Sequence, residues 1–511
     1  MVPLIQEEMD IEHQEYWFKK TDDKFLHNID TFYYSVKLVN DFTKDTSDDN
    51  VKRFRRYMKR YDNLDFDTCL TFNLAEVDEQ LNVMPFKFAG FYRYCIECPE
   101  KFDIFIADAV PHCQSGESVT SEIIIQIRSY LLWTIGVNKA FELSYDVVKK
   151  ICNQFGFEIQ EVKENRVDYC WHSNYLQNPS LFFRIDNFTQ MQVSRFRRIH
   201  YEYQLKPNDI YENDYICLGK RSDKVFVRIY LKSKEVVEKG YKSWFFKIWY
   251  FNKLISRYDL YLYEEMFKKQ NWNYLPYARL KFYLEYGQDE SYKDEIQKVL
   301  DKPESMSIES VIKLADKLTP KITLITNVEY QTTRKSSKSY VIRELKDNNR
   351  YKEAKRIYDY LDNRRLITEY LTHSTLRLIN RTDTNKSRCD YCEFWKRLRS
   401  CKMIDCLSVP KYLKMVRQYN RNLNKEVIKK RMLNSAITYS LYVKGINQDD
   451  VIDDCAAALI RLNDNDIQNM KRFKYKKIKM LNNEELEDMI DDERSNFFRL
   501  INEDGVFYEE T

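Results

Sequence analysis

The stretch KVFVRIYLK, residues 224–232, alternates apolar and polar side chains with the period of two that is typical of a β-strand. The apolar set, which we expect to face a core, is Val225, Val227, Ile229 and Leu231. On the other face Arg228 and Lys232 flank Tyr230, each about 7 Å away along the strand. Two cations at that distance would hold a phosphate and favour the phenolate form of a side chain whose ordinary pKa is about 10. The stretch therefore predicts a tyrosine nucleophile for a phosphodiester, and the alternative is one more packed tyrosine among the chain's 39.

A second strand pattern, RVDYCWHS at residues 166–173, carries candidate metal ligands. Its polar face consists of Arg166, Asp168, Cys170 and His172. Asp168 is the first candidate, because hard divalent cations prefer carboxylate oxygens and can neutralise a phosphodiester. His172 lies about 13 Å farther along the strand, so it joins the site if the strand bends or if the two residues flank the substrate. The alternatives are a salt bridge between Asp168 and an arginine, and a histidine with ordinary hydrogen bonds.

Three further polar residues are candidates for the same site. Glu235 lies five residues beyond Tyr230 and is a candidate metal ligand, general base or helix N-terminal charge. Gln126 and Arg128 share a face of IIIQIRS, residues 123–129, and are candidate phosphate contacts. A polar stripe on a half-exposed sheet explains these two equally well.

Composition limits the class of protein. A chain of 511 residues predicts two or three domains, and 15% aromatic residues exclude a disordered chain. The net charge of +4 means that any nucleic-acid surface must come from clustered cations. The chain has no apolar run of membrane length and an acidic rather than a signal-like N-terminus, so we expect a cytoplasmic protein that does not use a membrane.

The order of the patterns predicts an α+β fold, with an antiparallel or mixed sheet covered by helices and a mainly helical C-terminal region. We place a catalytic domain at residues 1–290, because the segment that begins at Gly287 is typical of a linker. A helical connecting region follows at 291–410, with a candidate strand at 322–330. A basic helical region with an acidic tail completes the chain at 411–511.

The basic helical region begins with KYLKMVRQYNRNLNKEVIKKR, residues 411–431, which holds a single acid. Its predicted DNA-binding cations are Lys411, Lys414, Arg417, Arg421, Lys429, Lys430 and Arg431. A solvated helix face is the alternative. Upstream, Cys389, Cys392, Cys401 and Cys406 have an irregular spacing that fits zinc ribbons poorly, so we expect packed thiols.

Several motifs resemble the replication initiation factor family, whose members start rolling-circle plasmid replication or conjugative transfer. RIYLKSKE, residues 228–235, resembles the family's arginine-x-tyrosine-x-lysine-x-x-glutamate motif. GKRS at 219–222 resembles its glycine-x-arginine-serine lead-in, and NRVDYCW at 165–171 resembles its arginine-apolar-aspartate strand. VTSEIIIQIRS at 119–129 resembles the strand before that, and the order and spacing agree over residues 122–260.

This resemblance implies a nicking enzyme in which Tyr230 is the nucleophile and Arg228 and Lys232 steady the developing charge. It implies that Arg221 contacts DNA and that a divalent metal, Mg²⁺ or Mn²⁺, binds near Asp168. It further implies three partners: DNA as origin duplex and single strand, the replicative helicase of the host, and a second copy of the chain in a homodimer.

One departure concerns a glutamate that many family members carry on the following strand, in a tryptophan-x-arginine-x-glutamate pattern. Here SWFFKIWYF, residues 243–251, places Lys247 and Trp249 at the comparable positions. If that glutamate binds metal, the site is incomplete here or uses Glu264 or Glu265 instead.

The sequence thus predicts a rolling-circle replication initiator that leaves a 5′-phosphotyrosine and a free 3′-hydroxyl. The alternatives are a conjugative relaxase of the same family and a non-catalytic DNA-binding regulator on the same fold. Covalent capture of nicked DNA discriminates the enzymes from the regulator.

Overall fold

The computed structural model describes residues 15–404, apart from residues 22, 62–69, 75–79, 89–91, 112–119, 177, 183, 195, 197–198, 206–210, 222, 241, 288 and 334–351, and in addition residues 432, 435, 436 and 439. The predicted DNA-binding cations at 411–431 lie outside the described residues, as does Cys406. None of the described helices has the length and hydropathy of a membrane span.

The strands of the described chain have the following bounds: β1 Phe25–Leu38, β2 Leu70–Thr71, β3 Asn82–Phe88, β4 Tyr92–Cys98, β5 Phe102–Ala107, β6 Ile123–Ile127, β7 Ile159–Ser173, β8 Gln192–Ser194, β9 Ile199–Leu205, β10 Tyr211–Leu218, β11 Val225–Leu231, β12 Thr326–Thr333 and β13 Leu376–Leu378. Eleven of them form one sheet in the order β2-β3-β4-β5-β6-β1-β7-β12-β11-β10-β9, and β8 pairs with β13. Every neighbouring pair in the large sheet is antiparallel.

The α-helices of the described chain have the following bounds: α1 Asp49–Met58, α2 Ser129–Ile135, α3 Val137–Phe155, α4 Pro179–Phe182, α5 Ile185–Met191, α6 Lys232–Lys239, α7 Trp244–Phe251, α8 Arg257–Lys269, α9 Leu275–Tyr286, α10 Lys293–Asp301, α11 Ile308–Leu318, α12 Lys355–Asp362, α13 Arg364–Tyr370 and α14 Glu393–Ser400. The predicted α+β class is confirmed. The strand of Tyr230 ends at Leu231, so Lys232 begins α6 instead of continuing the strand as predicted.

One face of the central strands forms the main core. Val227 and Ile229 are fully buried, as the alternation in β11 predicts, and the same face of β7 presents Tyr169. Helix α12 covers this face, where the Tyr169 hydroxyl donates to the Tyr360 hydroxyl at 2.8 Å. Helix α3 covers it as well, where the ring of Phe141 packs against Phe32 of β1 with 6.5 Å between centroids. Since the helices fill the apolar face, the opposite face of β7, β12 and β11 is left for polar side chains.

Strand β12 lies between β7 and β11 although it comes almost a hundred residues after β11. It overlaps the strand predicted at 322–330 but begins at Thr326 and ends at Thr333. Because β12 belongs to the same sheet as β11, the sheet of the predicted catalytic domain continues beyond residue 290. The chain between β11 and β12 forms helices α6 to α11, here called the helical lobe, and α9, α10 and α11 share a small core of their own. The lobe is therefore an insertion between two adjacent strands of the sheet.

Candidate active site

The polar face of β7, β12 and β11 brings together residues that are far apart in the sequence. Asn327 of β12 is the register partner of both Tyr230 on β11 and His172 on β7. Glu329 is likewise the partner of Arg228 and of Cys170. Cross-strand partners point to the same face, so one row of side chains runs across the three strands.

The phenol of Tyr230 is held by three polar groups. Its hydroxyl donates to Glu329 Oε2 at 3.0 Å, and Asn327 Nδ2 donates to the same phenol oxygen at 3.0 Å. Lys232 Nζ lies 3.4 Å from that oxygen. Only 6% of Tyr230 is exposed, so these contacts are largely shielded from water. A proton acceptor and two donors therefore surround one reactive oxygen.

The predicted effect of the flanking cations on this phenol is wrong. Burial, together with the nearby carboxylates of Glu235 and Glu329, raises the pKa of Tyr230 well above its ordinary value, and Arg228 opposes this only in part. Tyr230 is therefore a neutral phenol that donates a hydrogen bond. It needs a proton acceptor before it can attack.

The two cations, Arg228 and Lys232, are instead ion-paired with carboxylates. Arg228 is ion-paired with Glu329, and Lys232 Nζ bonds to Glu235 Oε2 at 2.8 Å. Burial alone would raise the pKa of Glu235, but Lys232 and Lys239 hold it well below its usual range. Glu235 lies in the first turn of α6, as the predicted alternative of a helix N-terminal charge requires. Its partner Lys232 also contacts the phenol oxygen of Tyr230.

Asp168 takes part in the predicted salt bridge. Arg166 Nε and Nη2 donate to its two carboxylate oxygens at 3.0 and 2.7 Å. This two-bond arrangement uses both oxygens and is among the stronger hydrogen-bonded ion pairs in proteins. Asp168 thus faces the same side of the sheet as Tyr230 but offers no oxygen without an arginine partner.

His172 does not fit the predicted role of a metal ligand. It is fully buried, stacks on Trp133, and accepts a hydrogen bond at Nδ1 from Trp249 Nε1 at 3.2 Å. An indole N–H can only donate, so we infer that the ring proton of His172 sits on Nε2. Burial, with Lys232 nearby, lowers the pKa of His172 to about 3, so the ring is neutral at physiological pH. Its Nε2 then carries hydrogen and cannot bind a cation.

The carboxylates of the described chain do not fit a divalent cation as they are arranged. Among the described residues, no group of three or more His, Cys, Asp or Glu side chains has the placement of a metal site. Asp168 and Glu329 are each held by an arginine. Glu265 lies on α8 and pairs with Lys268 of α8 and Lys281 of α9, which removes it as the substitute ligand. Dependence on Mg²⁺ or Mn²⁺ stays a prediction.

The predicted phosphate contacts on β6 are buried. Arg128 is 3% exposed, and its guanidinium bonds to Asp103 at 2.9 Å and to Glu97 at 3.1 Å. The prediction is wrong for Arg128 in this conformation, because its charge is used inside the protein. Gln126 is buried beside it and cannot reach DNA either without a rearrangement. Arg221 is half-buried next to the polar face, where its carbonyl accepts from Gln331 Nε2 at 3.1 Å, and its contact with DNA stays a prediction.

Several buried polar atoms on this face have no hydrogen-bond partner within the described chain. They are Gln126 Oε1, Asn327 Oδ1, Gln331 Oε1, Arg228 Nε and His172 Nε2. Buried polar atoms are nearly always hydrogen-bonded to protein or to ordered water, so water or a change of side-chain conformation has to satisfy these atoms.

Sequence reasoning missed three residues of the site. The segment at 243–251 forms helix α7, so it cannot supply the strand glutamate that was sought there. The next strand in the chain is β12, and it carries Glu329 and Asn327 against Tyr230. The alternation of 327–331 was the available signal. Asp30 had no such signal in the sequence, because its orientation depends on a β-bulge in β1. The bulge turns its carboxylate toward Ser129 Oγ at 2.6 Å and Lys242 Nζ at 3.6 Å.

The cysteines of the described chain are free thiols. Cys392 is buried, while the thiols of Cys389 and Cys401 point at backbone carbonyls. Cys392 and Cys401 pack against the main core, as predicted, whereas half-buried Cys389 is not part of a core cluster of the described chain.

No family model and no curated protein matches the chain. Among solved structures, the chain is similar to the rolling circle replication initiator protein from Geobacillus stearothermophilus, with a TM-score of 0.34 and 10% identity. That similarity covers 75% of this chain and 100% of the other. At this level it transfers neither fold nor activity, and the function has to be argued from the geometry of the polar face.

Proposed function

We propose that the protein is a replication initiator that cuts one DNA strand through Tyr230. The observation that carries the proposal is the surrounding of the Tyr230 oxygen, where Glu329 can accept the proton and Asn327 and Lys232 can donate to the resulting anion. Those are the groups that a phenol with a raised pKa needs in order to act as a nucleophile. The motif resemblance at 228–235 selects the same tyrosine.

In the proposed reaction, Glu329 takes the phenolic proton and the Tyr230 oxygen attacks phosphorus. The bond between phosphorus and the 3′ oxygen breaks, the 3′ oxygen takes a proton from water, and the 5′ phosphate stays on the tyrosine. Asn327 and Lys232 stabilise negative charge on the tyrosine oxygen before it bonds to phosphorus. Glu329 later releases its proton to solvent, so the charges balance.

The arginines of the polar face suit a phosphate. Arg166 holds Asp168 with two hydrogen bonds, whereas Arg228 contacts Glu329 through one nitrogen, and an arginine can bind a phosphate with two. When Arg228 leaves Glu329 for the scissile phosphate, the carboxylate becomes a stronger proton acceptor. Substrate binding and activation of the nucleophile would then be one event. Because Tyr230 is nearly buried, DNA must open this face first.

The proposal extends to the partners that the resemblance implies, namely origin DNA, the host replicative helicase and a homodimer. A divalent cation, if bound, would neutralise the non-bridging oxygens, but the step above does not depend on one. A conjugative relaxase would use the same chemistry at a transfer origin. The burial of the phenol against an ion-paired carboxylate favours the regulator as the second candidate, since a non-catalytic protein could keep this face closed.

The deciding experiment is capture of the covalent adduct. Wild-type protein is incubated with a supercoiled plasmid that carries its own replication origin and, separately, with end-labelled single strands from that origin. Each reaction is run with and without Mg²⁺ or Mn²⁺. We expect an adduct that survives denaturation and maps to Tyr230 by mass spectrometry. Tyr230→Phe should lose it, while Tyr215→Phe, the adjacent tyrosine on β10 with its ring 6.0 Å away, should keep it. An adduct that persists in Tyr230→Phe contradicts the assignment.

A further inference from the structure

A basic surface at residues 371–402 is not used by the reaction at Tyr230. The segment holds eight Lys and Arg against three Asp and Glu, whereas the net charge of the whole chain is only +4. It consists of a π-helical turn at Leu371–Thr375, strand β13, a loop and helix α14. Such π-helical turns are rare and occur frequently at functional sites. The segment is therefore a candidate for contact with an anionic partner.

Three side chains of this segment surround the ring of Tyr391. The guanidinium carbon of Arg399 lies 4.5 Å from the centre of that ring. His373 Nδ1 is hydrogen-bonded to the Tyr391 hydroxyl, and Arg377 Nη1 donates to the carbonyl oxygen of His373 at 3.2 Å. Burial and the nearby charges of Arg377 and Arg399 lower the pKa of His373. Two cations and an imidazole that is neutral at pH 7 therefore lie near one another.

Neither arginine has an acidic partner within the described chain. Arg399 and Arg377 are half-buried, and Arg399 Nε is buried without a hydrogen-bond partner there. Of the acids in the segment, Asp383 and Glu393 pair with other arginines, and exposed Asp390 forms no ion pair among the described residues. Half-buried arginines elsewhere in the described chain pair with Asp or Glu, as in Arg55, Arg93, Arg166, Arg228 and Arg356. A cation that leaves water without an anion is costly, so this place favours an anion from outside the chain.

A stabilising role at the end of helix α14 is the alternative for Arg399. It lies in the last turn, where a cation interacts favourably with the helix dipole. Arg397 lies in the same turn and pairs with Glu393 and Asp23. The helix dipole does not account for Arg377, which belongs to β13 and also lacks an acidic partner in the described chain. A shared ligand accounts for both arginines.

The chemistry of the group suits a phosphate. A guanidinium group binds two phosphate oxygens with parallel hydrogen bonds. The ring of Tyr391 fixes the plane of the Arg399 guanidinium, so less side-chain entropy is lost when a ligand binds. An anion at this place also favours the protonated form of His373, which adds a third cation.

The group lies on the other side of the sheet from the nucleophile. Strand β12 turns Glu329 to the polar face and Tyr330 to the core, since alternate residues face opposite sides. Burial raises the pKa of Tyr330 well above its ordinary value, and nearby Arg399 opposes this in part, so Arg399 lies on the core side. A phosphate there is not the scissile one. The basic surface ends nine residues before the cations predicted at 411–431 to bind duplex DNA.

We propose that Arg377, Arg399 and His373 bind a backbone phosphate of the duplex DNA that the protein recognises, at a site separate from the scissile phosphate. Contact with a phosphate positions the duplex without reading its sequence. A free nucleotide carries the same chemical group, and the test separates the two sources. The inference rests on the proposed function for the identity of the ligand as DNA.

The first test measures binding of the full-length protein to a fluorescent duplex from its own origin over a series of salt concentrations, with thermal melts in parallel. Arg399→Gln should weaken binding roughly 10- to 150-fold, the range for a hydrogen bond to a charged group, and flatten the salt dependence by about 0.9 on a log–log plot. Arg377→Gln should act in the same direction. Arg365→Gln is the matched control, because the Arg365 side chain is 85% exposed on α13 and already pairs with Glu369. It should bind like wild type.

The second test needs no change at the site. The ring of His373 is followed by NMR in wild-type protein with ¹³C-labelled histidine, and its signal is assigned by its absence from His373→Gln. Saturating duplex should raise the pKa of His373 by roughly one pH unit or more, because a bound anion favours the imidazolium. ATP at the same concentration of phosphate groups should leave it unchanged.

Wild-type duplex affinity in both Arg399→Gln and Arg377→Gln, or an unchanged pKa of His373 in saturating duplex, overturns the inference. A pKa that rises with ATP but not with duplex also overturns it, since the site then takes a free nucleotide. Adducts at Tyr230 are measured in the same proteins. If the variants bind duplex like wild type and adducts form, only this site fails. If the variants lose duplex binding but wild type never forms an adduct, the site stands and the nicking function fails.

Discussion

Replacing Glu329 by glutamine tests whether this carboxylate takes the proton of Tyr230. The amide keeps the shape of the side chain and can still accept a hydrogen bond from the phenol, now at 3.0 Å from Glu329 Oε2. It cannot accept the proton itself. Nicking should therefore slow while the position of Tyr230 is kept.

The expected loss follows from the pKa of the phenol. Burial and the neighbouring acids raise that pKa well above its ordinary value, so very little phenolate forms at pH 7 without a base. General-base catalysis typically contributes about 10²- to 10⁴-fold, and we expect a rate loss in that range. Without the base, the phenolate fraction rises tenfold per pH unit. The nicking rate of Glu329→Gln should therefore rise about 100-fold between pH 7 and pH 9, and wild type should rise much less.

The substitution also weakens an ion pair, which has to be separated from catalysis. Breaking a buried pair costs about 3–5 kcal/mol, and partial exposure of Arg228 and the remaining amide reduce this to roughly 2–3 kcal/mol. Glu164→Gln is a matched control, because buried Glu164 pairs with Arg356 at 3.0 Å far along β7 from the phenol. Glu164→Gln should lose a similar amount of unfolding free energy but keep the wild-type nicking rate.

The assay is single-turnover adduct formation on a labelled single strand, followed on denaturing gels, with thermal melts in parallel. A second readout replaces Tyr230 by a fluorotyrosine of lower pKa, which should partly rescue Glu329→Gln. The reasoning is refuted if Glu329→Gln nicks within threefold of wild type at pH 7 and shows the same pH dependence.

Three further predictions concern charge elsewhere in the chain. Asp168→Asn should lower the melting temperature through loss of the Arg166 pair, by about 2–4 kcal/mol of unfolding free energy, and should leave any metal titration of nicking unchanged; a raised metal requirement would restore Asp168 as a ligand. Burial lowers the pKa values of His27 and His172 to about 3, so the unfolded chain binds more protons than the folded one between pH 6.5 and pH 3 and stability is lost as pH falls through that window. At pH 5 the loss should be about 2 kcal/mol per histidine in urea denaturation, and His172→Gln should remove its share. Replacing the three cations at 429–431 by alanine should flatten the salt dependence of duplex binding by about 3 on a log–log plot if all three touch phosphates, whereas an unchanged slope would assign them to solvent.

The parts of the fold that depend on local pattern were predictable from sequence. The period of two in 224–232 predicted the core face of β11 correctly at Val227 and Ile229, because alternation is a property of the strand alone, whereas Val225 and Leu231 at the strand ends are only half-buried. The end of that strand was placed one residue late, since nothing local distinguishes Lys232 as the last strand residue from Lys232 as the first residue of α6. The resemblance selected a tyrosine that the structure places among polar partners.

The parts that depend on pairing between distant strands were not predictable. Glu329 reaches Tyr230 only because β12 returns to the sheet after the helical lobe, and a single sequence does not contain that register. The charge of Arg128 was read as a DNA contact for the same reason, because its partners Asp103 and Glu97 come from two other strands. The phenolate prediction failed because it counted the cations on one strand and omitted the acids that the neighbouring elements bring.

The polar face of the sheet holds three arginine–carboxylate pairs, and the stability of the fold alone does not explain that number. Arg128, Arg166 and Arg228 each have a carboxylate partner there, and the register from Asp103 through Tyr33 to Arg166 places the pairs on one side of the sheet. Buried ion pairs are often no more stabilising than well-packed apolar residues, so packing alone does not explain three of them. An arginine that leaves a carboxylate for a phosphate keeps an anionic partner, while water or a proton has to satisfy the carboxylate that it leaves. In the proposed reaction Glu329 takes that proton from Tyr230, so the opening of this face to DNA and the activation of the nucleophile would be coupled.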